Sequence, residues 1–202
     1  MKNKIIQKAA ELFISLGFKS VTMDEIAASL GISKKTIYLH FNNKTELIRE
    51  ATYSIFNEIT CGIDHIQSQQ FNPIQELFEV KKFAMQLLKN EKSSPQYQLQ
   101  KYYPELFDEL KEKQFEKMQE CTLQNLERGV SLGLYRDNLD QEFVARIYFL
   151  GISGIKNDHL FPTDKFTKTQ LMDNYLEYHL RGIVTEKGLK TLYKFIIQSS
   201  NE

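Results

Sequence analysis

Residues 21–44, VTMDEIAASLGISKKTIYLHFNNK, constrain this chain more than any other stretch, because three helix starts and a glycine stop crowd into them. Thr22 and Glu25 have capping-box spacing, in which each side chain satisfies an orphan backbone N–H of the other. Val21 and Ile26 stand at the spacing of a hydrophobic staple, so a helix begins at about Met23. Ile26, Ala27 and Leu30 repeat at helical period, and Gly31 follows where a left-handed turn is least strained. Ser33 caps a second helix, and Ile32 with Ile37 repeats the staple spacing.

In that second helix Ile37 and Phe41 face inward, while Lys34, Lys35 and Tyr38 fall on another face. A length of roughly eight residues gives about 12 Å, which suits a DNA major groove about 12 Å wide. A third start follows: Asn43 caps with Glu46 at the third helical position, and Lys44 stands at the positive helix end where a phosphate is favoured. Two short helices around one glycine, the second carrying outward cations, form a unit able to read bases.

These residues resemble the DNA-binding domain of the TetR family of bacterial transcriptional regulators. Ala10, Phe13, Gly17, Phe18, Thr22, Ile26, Ala27, Gly31, Ser33, Thr36, Ile37, Tyr38, Phe41, Lys44 and Leu47 carry the resemblance, which covers about the first quarter of the chain. It implies an all-α homodimer on a palindromic double-stranded DNA operator. It also implies a three-helix, helix-turn-helix DNA-binding domain over 1–46 and a helical domain for ligand binding and dimerisation over 47–202. Carried over by position, Thr22, Tyr38, His40 and Lys44 hold the phosphate backbone, and Lys34, Lys35 and Thr36 approach base edges. Lys35 and Leu39 depart from the family pattern. Lys35 at guanine O6 and N7, or Leu39 at a thymine methyl, is one assignment, and contact with the backbone is the other. Solvated surface lysines at 34 and 35, a packing tyrosine at 38 and a local cap at His40 are the competing assignments.

Charge is distributed unevenly. The whole chain balances 26 Lys and Arg against 26 Asp and Glu. Residues 1–50 nonetheless carry eight basic against five acidic residues, a local excess of +3, so the remainder carries −3. The excess coincides with the reading helix, and its small size predicts weak, salt-sensitive non-specific binding with affinity built from two half-sites. At 202 residues and 42% hydrophobic content the chain can bury a sizeable core. No signal peptide or membrane-spanning stretch is read, so the expected location is the cytoplasm, with no membrane partner. Cys61 and Cys121 fall in separate expected helices and give no reason for a disulfide.

Helical periodicity continues throughout. One helix is expected over 3–16, closed by Gly17, and a long proline-free connector from Asn43 to about Ser68. Further helices are expected from Pro73 to near Asn90, from Ser93-Ser94-Pro95, from Pro104 to about Leu132, from a cap at Asp140, over 167–181 and over 186–199. The role of the last is not legible. Phe78, Phe83, Tyr97, Tyr102, Tyr103, Phe107 and Phe115 fall in helices that form the ligand pocket in the family. They are candidates for lining a site for a lipophilic or aromatic small-molecule effector, with ordinary core packing as the alternative. Gly151 and Gly154 are three apart. Small residues so spaced allow close helix approach, which makes Phe143, Ile147, Gly151, Gly154, Tyr175 and Tyr178 the candidate dimer interface, an internal helix crossing being the alternative.

No phosphate-binding glycine loop, HExxH, CxxC or nucleophile elbow occurs, and His40, His65, His159 and His179 are scattered, so an enzyme is not expected. No cofactor is implied. Cys61, Asp64 and His65 share a helix face but make an incomplete metal site, and none is expected. The readings that stay open are a ligand-released repressor and, as the alternative, a transcriptional activator or a helical lipid- or partner-binding protein.

Overall fold

The computed structural model describes residues 1–87 and 95–199. Among them it forms ten helices: α1 (Lys2–Leu16), α2 (Met23–Leu30), α3 (Lys34–Tyr38), α4 (Lys44–Ser68), α5 (Pro73–Leu87), α6 (Pro95–Tyr102), α7 (Pro104–Ser131), α8 (Gln141–Gly154), α9 (Lys168–Ile183) and α10 (Glu186–Ser199). The expected end of the fifth helix near Asn90, and Ser93-Ser94, lie outside the described residues. The fold is all-α with an N-terminal helix-turn-helix. Among the described residues the only strand-like pairing is a single antiparallel bridge between Tyr135 and Val184.

The helix ends follow from side chains. Thr22 accepts a hydrogen bond from the Glu25 amide at 3.2 Å, and the Glu25 carboxylate accepts from the Thr22 amide at 2.7 Å. Thr167 and Gln170 repeat this box at α9, and Ser33 and Asp140 accept the Thr36 and Phe143 amides at the starts of α3 and α8. Each such cap is worth about 1 kcal/mol. Gly31 is left-handed at φ 64°, and behind it the Ile32 amide closes onto the Ala27 carbonyl at 3.0 Å. No atom lies near the place a Gly31 side chain would occupy, so glycine is required there by backbone conformation alone.

The packing divides into two compact units. The first comprises Met1–Gly62 and Gln86–Lys113. Its core joins Ile5, Ala9 and Phe13 of α1, Phe18 and Val21 of the following turn, Ile26 of α2, Ile37 of α3, Phe41, and Leu47 and Ile48 of α4. Leu99 of α6 and Leu106 and Leu110 of α7 complete it, so the three-helix bundle is built together with segments distant in sequence. Full burial of side chains of this size stabilises by roughly 1.5–3 kcal/mol each.

The second unit comprises Ile63–Met85 and Gln114–Glu202. Ile74, Leu77 and Phe78 of α5 pack there with Leu126 of α7, Tyr148 and Ile152 of α8, Leu176, Leu180 and Ile183 of α9, and Leu192 of α10. Buried Glu76 is satisfied by Arg128 at 2.7 Å and Asn125 at 2.8 Å, and Asn125 also accepts the Tyr135 hydroxyl at 3.0 Å. The Tyr135 ring occupies the space that a Gly129 side chain would fill, 1.9 Å from an ideal Cβ, so α7 needs glycine at that turn.

Candidate nucleic-acid interface

The recognition helix is shorter than the expected eight residues. α3 has five, about 7.5 Å at 1.5 Å per residue, and the chain then continues through a turn in which the His40 and Phe41 amides both bond the Ile37 carbonyl. Phe41 must reach the unit 1 core from just beyond that turn, which ends the helix early.

Ile37 is fully buried and turns the opposite side of α3 outward. Lys34, Lys35, Tyr38 and Leu39 are exposed, Tyr38 at 46% and Leu39 at 73%. A leucine so exposed at the end of a short helix has no packing role within unit 1. Lys34 does not stand free. Its Nζ lies 2.8 Å from Asp24 Oδ2 in the first turn of α2, and this carboxylate raises the lysine pKa. Thr36 is half-buried, its hydroxyl 2.9 Å from Ser33 Oγ, which ties it to the cap of α3. His40 is half-buried with its ring edge-on to Phe41 at 6.4 Å.

Beside α3 the N-terminus of α4 forms a second cationic point. Asn43 accepts from the Glu46 amide at 2.9 Å, while the Glu46 carboxylate turns back to the Asn42 amide at 2.7 Å. Lys44 rests its Nζ 3.4 Å from the Lys19 carbonyl, and partial burial lowers its pKa. The Thr22 hydroxyl is engaged with Glu25 at 3.0 Å within the capping box. Four exposed side chains on α3 and its turn, with a lysine at the positive end of a neighbouring helix, form a surface matched to a polyanion with a readable edge.

Residues 5–51 match the bacterial regulatory proteins of the tetR family. Over 57 residues the chain is 40% identical to the negative transcriptional regulator IcaR of the biofilm operon icaADBC of Staphylococcus epidermidis; this covers 28% of the chain and 31% of that relative. The match thus spans about a third of the relative's length. SmeT, the repressor of the Stenotrophomonas maltophilia multidrug efflux pump SmeDEF, superposes over 92% of this chain and 91% of its own with a TM-score of 0.70 at 18% identity. A TetR-family regulator of Agrobacterium tumefaciens superposes over 91% and 97% with a TM-score of 0.72, also at 18% identity. Residues 5–51 are thus similar to the DNA-binding segment of the TetR family, and the whole chain shares the fold of these regulators.

The seven aromatic pocket candidates divide between the two units. Tyr97, Tyr102, Tyr103 and Phe107 belong to unit 1, and Phe78, Phe83 and Phe115 to unit 2. Tyr103 packs edge-on against Phe18 at 6.4 Å, and Phe107 packs on the unit 1 core. Phe78 stacks on Phe195 at 5.5 Å, Phe115 meets Phe149 at 5.1 Å, and Phe83 is half-buried. Tyr97 and Tyr102 are exposed. A cleft of about 480 Å³ in unit 2 is lined by Gln67, Gln70, Phe71, Asn72, Arg128 and Leu132, none of them among the seven.

On α8, Phe143, Ile147 and Leu150 form an exposed apolar stripe, Phe143 at 60% and Leu150 at 62%, and Tyr178 of α9 is 77% exposed. Gly151 serves the crossing of α8 and α9 within the chain: an ideal Cβ there falls 2.1 Å from the Tyr175 ring, and the Tyr175 hydroxyl bonds the Ile147 carbonyl at 3.0 Å. Gly154 faces open space. Asp24 and Lys19 escape a reading by periodicity because their partners lie across a turn or on a distant helix.

Proposed function

We propose that the protein is a DNA-binding transcriptional repressor that acts as a homodimer. Each protomer lays α3 in the major groove of one half of a palindromic operator, and a small lipophilic or aromatic effector releases the complex. The observation that carries this reading is the outward face of α3, with Lys34, Lys35, Tyr38 and Leu39 exposed over the buried Ile37, beside Lys44 at the start of α4. Phosphate contacts by Tyr38 and Lys44 position the headpiece, and Lys34, Lys35 and Leu39 meet base edges. Thr22 and His40 contribute at the backbone, and Thr36 holds the cap from which the reading side chains project. IcaR, a negative regulator, and SmeT, a repressor, favour repression.

Dimerisation is assigned to the exposed stripe of α8 with Tyr178. Unpaired, it would leave Phe143, Ile147 and Leu150 in water on one helix face, and a two-fold partner buries them against their own copies. Effector release needs a differential affinity of the ligand for the two headpiece spacings. The deciding experiment is a mobility shift and footprint with DNA from upstream of the protein's own gene. Two protected half-sites about one helical turn apart, lost in the Tyr38→Ala variant, are expected. No shift at low salt with any upstream fragment would overturn the reading. Thermal-shift screening with hydrophobic compounds tests the effector separately.

A further inference from the structure

The cationic surface of unit 1 does not end at the helix-turn-helix. Lys44 sits against the Lys19 carbonyl, and the Lys19 ammonium lies over the ring of Tyr102 of α6, 5.3 Å from its centroid. On the same ring, at 5.4 Å, lies the ammonium of Lys101, which also stands 5.6 Å from the Tyr97 centroid. The two ammoniums are therefore at most about 11 Å apart, both held against one exposed tyrosine.

This arrangement is fastened to the headpiece. The Lys19 amide donates to Gln98 Oε1 at 3.3 Å, Gln98 fills the space beside Gly17, Tyr103 packs on Phe18, and Leu99 enters the unit 1 core. Lys101 is thus a headpiece residue in space although it lies far along the chain. Among the described residues of unit 1, Lys2, Lys8, Lys34 and Arg49 each pair with a carboxylate, whereas Lys19, Lys44 and Lys101 have none within ion-pair distance. Glu25, the acidic group that acts on Lys44, already has its Oε2 in the capping box. A tyrosine ring holds an ammonium in place without neutralising it, so the full charge remains available outward.

We propose that Lys19 and Lys101, carried on Tyr102, continue the phosphate-binding line of Lys44 and bind the DNA backbone outside the operator half-site. This rests on the DNA-binding reading above. An acidic protein partner fits less well, because the line is continuous with Lys44 at the reading surface. A separation of at most about 11 Å takes in no more than about three phosphates of one strand at roughly 3.4 Å of axis each. The contacts carry no sequence information; they lengthen the footprint and steepen its salt dependence.

The test uses the full-length protein and two duplexes from the footprinted upstream fragment, one trimmed to the protected half-sites and one carrying about ten further base pairs on each side. Wild type is expected to prefer the longer duplex, with a steeper dependence of log affinity on log salt, about 0.9 per additional contact. In Lys19→Ala/Lys101→Ala the preference should fall to within about twofold of unity while binding to the trimmed duplex is unchanged. Tyr102→Leu, with thermal melting as the control for folding, should reduce the preference in part. Equal binding of both duplexes by wild type, or equal losses on both in the double variant, would overturn the proposal and leave DNA binding standing. Failure of wild type to bind either duplex would overturn both readings.

Discussion

Asp24 and Lys34 are joined across the turn of the helix-turn-helix, with Nζ 2.8 Å from Oδ2. Both side chains are largely exposed, so water screens the pair and it adds little to stability. On the DNA-binding reading proposed above, the pair occupies a cation of α3 with a carboxylate of α2. To reach guanine or a phosphate, Lys34 must leave Asp24, and Asp24 then faces the same polyanion.

Asp24→Asn is therefore expected to strengthen binding to random-sequence duplex more than binding to the operator, and to steepen the salt dependence by about 0.9 per protomer. In a Lys34→Ala background the same substitution should give a smaller gain, because only the repulsion between Asp24 and the phosphates is then relieved. Fluorescence titration of the four proteins against both duplexes over a range of salt checks this double-mutant cycle. An equal gain from Asp24→Asn with and without Lys34 would mean that Asp24 acts only as a repelling charge.

Tyr38 and Leu39 are adjacent and exposed but should behave differently. Tyr38→Phe removes a hydroxyl assigned to phosphate, and a loss of about 1 kcal/mol, near fivefold in affinity, is expected on every sequence alike. Leu39→Ala should weaken binding chiefly where an A·T pair with its thymine methyl is present. Binding to a panel of operators altered at single positions separates a uniform loss from a local one.

The capped starts of α2, α3, α4 and α8 are legible in the sequence because capping is local: Thr22, Ser33, Asn43 and Asp140 each act within three residues. What was not legible is which helices meet. The period of α6 shows an apolar Leu99, yet nothing in that period says that Leu99 joins the core of α1 to α4. The aromatic residues illustrate the same limit. Tyr103 and Phe115 are close in sequence but pack in different units, because periodicity gives a face and not its neighbour. Gly151 follows this pattern too, since only the position of Tyr175 shows that the glycine serves an internal crossing.

Within unit 2, Glu76 gathers donors from Asn125 and Arg128 in a buried setting. Glu76→Ala leaves those donors without their acceptor, and a loss of about 3–5 kcal/mol in denaturant unfolding is expected. Tyr135→Phe removes a single neutral hydrogen bond at the edge of the same group and should cost about 1 kcal/mol. Gly129→Ala should exceed Tyr135→Phe, because the added methyl meets the Tyr135 ring at 1.9 Å. If Glu76→Ala proves no more destabilising than Tyr135→Phe, the network is not what holds α5 to α7.

His179 of α9 makes stability depend on pH. It is buried with its ring 4.7 Å from that of Tyr148 and 6.1 Å from that of Tyr175, and burial lowers its pKa from 6.5 to about 4. Neither tyrosine carries charge in acid, since burial raises both of their pKa values. Above pH 6.5 the histidine is neutral in folded and unfolded chains alike and adds no pH dependence. Between 6.5 and about 4 the unfolded chain takes up the proton first, so stability falls with falling pH, by about 3 kcal/mol across the window. Below that, both states are protonated and the contribution levels off. His179→Leu keeps an apolar side chain against the two tyrosines and removes the titration. Urea unfolding of both proteins from pH 7.5 to 4 should therefore show a shallower acid decline in the variant, and parallel curves would place the His179 proton equilibrium near its ordinary value.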